Sequence, residues 1–201
     1  MPKTDRDRLL GLAHRRGVIT TRETARAGMH SQLLTRLVAD GALERVARGH
    51  YQLADRPVTE HHGLAIVSRT VPKGVICLLS ALSVHGIGTQ LPAEVWVAIE
   101  GRARRPVLAH PPLRVVRFSG RAFTEGVEIH RLEGESIRVY GVAKTLADLF
   151  KYRNKVGLDV ALEALREAWR GKRFKMQELD RAAGICRVER VMRPYVEAVV
   201  S

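Results

Sequence analysis

Four glycines constrain the start of this chain more than any other feature. Gly17, Gly28, Gly41 and Gly49 cut the first 53 residues into short pieces, and glycine is where a chain leaves a helix or turns tightly through positive φ. No long helix or broad sheet fits between such stops. Residues 5–16 carry Leu9, Leu10, Leu12 and Ala13 at helical spacing and predict an amphipathic helix ending at Gly17. Val18-Ile19 reads as a short extended piece. Thr20-Thr21-Arg22-Glu23 has capping-box spacing, in which a Thr hydroxyl and a Glu carboxylate satisfy each other's free amides; it opens a short helix ending at Gly28. His30-Ser31 opens a third helix, with Ser31 as N-cap and Asp40-Gly41 as its end. The segment 42–53, ALERVARGHYQL, predicts two short strands around Arg48-Gly49. Helix, strand, helix, turn, helix and two-stranded wing is the order of a winged helix-turn-helix, expected over residues 1–56.

Ala54-Asp55-Arg56-Pro57 reads as a linker, and the periodicity changes after it. Glu60–Thr70 predicts a helix and Val75–Leu79 a buried strand, with Ser80 capping a short helix to His85. Glu94–Glu100, Leu113–Phe118, Val127–Leu132 and Ile137–Tyr140 read as strands bounded by Gly or Pro. Helices follow at 143–153, at 158–170 and as a pair near 175–183 and 187–199; Leu158, Leu162, Leu165 and Trp169 share one face. The expected class is therefore α+β: a second domain over 57–201 with a mostly antiparallel sheet and a helical C-terminal part. A chain of 201 residues is long enough to bury the cores this division requires.

With 34 Lys and Arg against 21 Asp and Glu, the formal charge is +13, which favours a polyanionic partner. Residues 1–56 hold 11 basic and 6 acidic side chains, the densest excess in the chain. An Arg-rich surface also follows from a GC-rich genome, so charge alone leaves the partner open. The two cysteines, Cys77 and Cys186, are far apart and lack metal-ligand spacing, which excludes a disulfide scaffold. No apolar run approaches the ~20 residues of a membrane span. The start, MPKTDRDRLLGLAHRRG, has charges throughout and no apolar signal core. The expectation is a soluble, cytoplasmic protein.

At about 100° per residue, Leu34, Leu37 and Val38 share one face of the third helix, and Gln32, Thr35, Arg36 and Ala39 the opposite one. Gln and Arg can make bidentate contacts to adenine and guanine edges. Ser31 at the helix start can meet phosphate, and Arg45, Arg48 and His50 in the wing can touch an adjacent groove. These seven residues are the expected contacts to double-stranded DNA. The eight histidines form no HExxH or HxxxH pair, and Gly86-Ile87-Gly88 lacks the rest of a phosphate loop. No catalytic residue, metal site or cofactor is expected. One enzyme alternative is a metal-dependent nuclease using Glu94 and Glu100, but Glu100-Gly101-Arg102 has Arg where such a site needs Lys, and Arg cannot act as a base. Another alternative is a ligand-sensing transcription factor. On 143–153, Lys144 and Asp148 form an i, i+4 pair, and Lys151, Arg153 and Lys155 extend a basic edge. That edge fits either a solvated face with one weak salt bridge or a docking surface for an acidic or RNA partner.

The stretch GVITTRETARAGMHSQLLTRLVADGALERVARGHYQLA resembles the N-terminal winged-helix domain of the AbiEi family, the antitoxin regulators of type IV toxin–antitoxin systems. LLSALSVHGI, PAEVWVAIEGR and VYGVAKTLADLFKYRNKVGLDVALEAL resemble that family's C-terminal antitoxin domain. Most specific are the wing pattern Gly41, Leu43, Arg45, Val46, Arg48, Gly49, Tyr51 and the block Lys144 to Leu149. The resemblance implies a repressor that binds inverted repeats in its own promoter. It also implies that the C-terminal domain counters a nucleotidyltransferase-type toxin without a stable complex, in phage defence. Lys144, Lys151, Arg153 and Lys155 are the surface expected to serve that second role.

Overall fold

Thr4 and Asp7 satisfy each other's backbone amides at the start of the first helix, α1 (Asp5–Arg16), and Gly17 ends it at φ 74°. The computed structural model describes residues 4–55, 61–108 and 110–200; Arg56 and Pro57 of the expected linker lie outside them. After β1 (Val18–Thr20), Thr20 and Glu23 form the expected capping box on α2 (Thr21–Arg26), and α3 (Gln32–Ala39) follows. Strands β2 (Leu43–Ala47) and β3 (His50–Leu53) flank Gly49 at φ 75° and join β1 in an antiparallel sheet of order β1-β3-β2. Leu9, Ala13, Ile19, Leu34, Leu37 and Leu43 fill its core.

Helix α4 (His62–Thr70) is counted in the same compact unit, which comprises Met1–Pro72, Pro106–Pro112 and Arg131–Ser136. Its Ile66 packs with Val18 and Val46 in a second small cluster. Arg69 binds both Glu23 and Glu135, and its side chain is 16% exposed against 18% and 22% for the two acids. Burial raises the Glu23 carboxyl, but hydrogen bonds from Arg69 and Thr20 outweigh it and hold the group at about 2. His62 bridges Glu133 and Gln52, 3.1 Å from each.

The other unit comprises Lys73–Arg105, Leu113–His130 and Ile137–Ser201. In chain order it brings β4 (Val75–Ile76), α5 (Leu78–His85), β5 (Val95–Glu100), β6 (Leu113–Phe118) and the short α6 (Arg121–Thr124). Strands β7 (Val127–Leu132) and β8 (Glu135–Tyr140) follow. Then come α7 (Val142–Lys151), the short α8 (Arg153–Val156), α9 (Leu158–Arg170), α10 (Met176–Cys186) and α11 (Glu189–Val200). The sheet order is β6-β5-β4-β8-β7.

The α+β class holds, but the expectation of a mostly antiparallel sheet is corrected. β5 pairs with β6 in parallel and β4 with β8 in parallel, while β4 and β5 run antiparallel, so the sheet is mixed. Parallel pairs need a crossover connection, and α7 and the helices after it cover the apolar residues this leaves: Tyr140, Leu146, Leu149, Phe150, Ala164 and Leu165 share one large core with Trp96 and Phe118. Ser80 is also reassigned. The N-cap position of α5 is Cys77, and Ser80 is buried, its Oγ accepting from the Trp96 amide at 2.9 Å.

Candidate nucleic-acid interface

Helix α3 divides as its periodicity requires. Leu34 and Leu37 are buried and Leu33 and Val38 half-buried, whereas Gln32, Thr35, Arg36 and Ala39 face solvent. Ser31 is exposed at the N-cap position, but its side chain makes no capping bond. His30 takes that role, its Nδ1 accepting from the Gln32 amide at 3.2 Å. The Ser31 hydroxyl is thereby left to other partners.

In β2, Leu43 and Val46 point inward while Glu44 and Arg45 are exposed. The spacing is three rather than two because the register shifts between Arg45 and Ala47, a bulge that re-aims the strand. Arg45 Nε donates to the Ala47 carbonyl at 3.3 Å across it. Arg48 is exposed at the turn, and the half-buried His50 donates from Nδ1 to the Arg48 carbonyl at 3.1 Å.

Ion pairing divides the arginines of this unit into two sets. Arg6 meets Asp40, Arg8 meets Asp5, Arg16 meets Glu23 and Arg69 meets Glu23 and Glu135. Arg36, Arg45 and Arg48 have no acidic partner among the described residues. The same holds for Arg15 on α1, for Arg131 on β7, and for Arg22 and Arg26, exposed at i, i+4 on α2. Sequence reasoning passed over that last pair, although its spacing was visible.

The expected basic edge on α7 and α8 is corrected at one position. Lys144 is 3% exposed and forms a buried pair with Asp148, Nζ to Oδ2 2.6 Å, so it belongs to the core and not to a surface. Its ammonium lies over the Tyr140 and Phe118 rings at 4.1 and 4.6 Å. The Cys186 thiol donates to the other Asp148 oxygen at 3.2 Å. Burial pushes that thiol up to about 12, and raises the Cys77 thiol as well. Lys151 and Lys155 are exposed and Arg153 is half-buried, donating to the Phe150 carbonyl.

Of the two acids weighed for a nuclease, Glu94 pairs loosely with Arg114 and Glu100 accepts from the Arg102 amide. Where no metal site was expected, the structure brings His85, Glu128 and His130 together.

Residues 7–54, from α1 through β3, match the family model described as "Transcriptional regulator, AbiEi antitoxin". The match covers that segment alone, and a regulator role is what it supports. Over 99% of this chain and 81% of the other, the fold is similar to the crystal structure of the RV2827C protein from Mycobacterium tuberculosis, with a TM-score of 0.68 and 16% identity. No curated protein matches the chain. Among the described residues, no helix is long and apolar enough to cross a membrane.

Proposed function

We propose that residues 1–56 form a winged helix-turn-helix that binds double-stranded DNA, with α3 in the major groove and the β2–β3 hairpin as the wing. Gln32, Thr35 and Arg36 read base edges; Ser31, Arg45, Arg48 and His50 hold backbone or an adjacent groove. The observation that carries this is that Arg36, Arg45 and Arg48, all exposed on α3 and the hairpin, have no acidic partner among the described residues, whereas Arg6, Arg8, Arg16 and Arg69 are paired. A protein that neutralises phosphates releases counterions, and free guanidinium groups are what that term requires. Exposed Arg22 and Arg26 on α2 add to the phosphate contacts.

The biological reading that follows is a non-enzymatic repressor of its own operon, acting at inverted repeats. Residues 57–201 would counter a nucleotidyltransferase-type toxin without forming a stable complex with it. Lys151, Arg153 and Lys155 remain the surface for that role once Lys144 is assigned to the core.

Two experiments test the two halves. Footprinting on the chain's own promoter should show protected inverted repeats, and Arg36→Ala should lose base preference there; unchanged preference removes α3 from the readout. Reversing Lys151, Arg153 and Lys155 to Glu in the full chain should abolish rescue from a toxin expressed under an unrelated promoter, with operator binding intact. Full rescue by that variant excludes the basic edge.

A further inference from the structure

We infer that His85, Glu128 and His130 form a binding site for a divalent zinc-class cation, a site separate from the DNA-binding residues. One ligand atom from each of the three lies within 4.8 Å of the others. Two imidazoles and one carboxylate are a zinc ligand set that leaves a fourth position open. On a tetrahedral ion with bonds of ~2.0–2.1 Å, ligand atoms sit about 3.3 Å apart. Glu128 Oε2 and His130 Nε2 are already 3.1 Å apart in a hydrogen bond, at i, i+2 on one face of β7, and the cation would take the place of the proton shared between them.

His85 is oriented from behind. His85 Nε2 lies 2.8 Å from the Tyr140 carbonyl, which can only accept. That bond fixes the proton on Nε2 and leaves Nδ1 with the lone pair a metal needs, the usual second-layer arrangement for a metal-bound histidine. Gly141 leaves the space that Glu128 occupies: a Cβ there would stand 2.3 Å from Oε1. His85 is also the last residue of α5, whose carbonyl end favours positive charge. Arg173 opposes this, since it donates to the His85 carbonyl at 3.0 Å; the Glu128 carboxylate supplies the compensating charge. The same carboxylate lines an open cleft of about 410 Å³, which gives an ion a path from solvent.

Untagged full-length protein titrated with Co²⁺ should develop the visible bands of a four- or five-coordinate site at one equivalent, and Zn²⁺ should displace them and raise the unfolding temperature. His130→Ala and Glu128→Gln should each weaken the affinity at least tenfold. Both residues lie toward the surface, so circular dichroism should show the fold intact, and Glu128→Gln keeps the shape of the side chain. His14→Ala, on exposed α1, should change nothing. Absence of a one-equivalent site, or a site of equal affinity in both variants, overturns the assignment and leaves adventitious binding at other histidines only.

Discussion

Replacing Lys144 with Met tests whether the pair it forms with Asp148 is a core element. On an exposed helix face an i, i+4 Lys–Asp pair contributes a few tenths of a kcal/mol. Here the side chains are 3% and 0% exposed, the ions stand 2.6 Å apart, and the ammonium has aromatic faces on two sides. Met retains most of the aliphatic stem, so the loss is mainly electrostatic. It leaves a fully buried carboxylate with one thiol donor, and breaking such a pair typically costs about 3–5 kcal/mol. Asp148→Leu alone strands the ammonium at similar cost. The double variant Lys144→Met/Asp148→Leu removes both desolvation penalties and is expected within about 1 kcal/mol of the parent, or more stable. Trp96 and Trp169 both lie in this unit, so urea unfolding followed by tryptophan fluorescence reads it directly. A cost below about 1 kcal/mol for Lys144→Met, or a double variant as unstable as the worse single, would refute the reasoning.

Three further outcomes follow from other parts of the chain. Arg36→Ala should cost about 1–3 kcal/mol at a specific site, whereas Arg48→Ala should weaken specific and random DNA alike and lower the salt slope by roughly one; titrations at several salt concentrations separate the two. The Glu23 carboxyl is held at about 2, below its ordinary 4.5, so its stabilisation is present above the ordinary value and lost as pH falls toward 2. The stability gap between the parent and Arg69→Met should therefore be steady near neutrality and narrow below pH 4.5, and an unchanged gap in acid urea melts would remove Glu23 from that network. Cys77 and Cys186 are buried with raised thiols, so a thiol reagent should label neither in the native protein and both in denaturant.

What was legible in the sequence was local. The glycine stops, the Thr20–Glu23 box and the apolar stripe of α3 are set by neighbours within four residues, and each stands where its spacing put it. The features that went astray are decided from far away. Strand direction is one: a period-2 pattern is the same for parallel and antiparallel neighbours. Yet Val95–Ile99 is a near-continuous apolar run buried throughout, the mark of a strand covered on both faces, and it was open to that reading. Ser80 looked like a cap because Ser caps helices, but the amide that claims its oxygen belongs to Trp96, sixteen residues on. Lys144 looked like a surface cation because an i, i+4 acid is the common surface partner; its burial depends on Tyr140, Phe118 and Cys186, from three other elements. The histidine–glutamate group shows both halves of this. Glu128 and His130 are an alternating pair on one strand face, readable in advance, while His85 reaches them only through the fold. The unpaired arginines belong with these: which of them lack an acid depends on which acids tertiary packing has already engaged, and no spacing rule gives that.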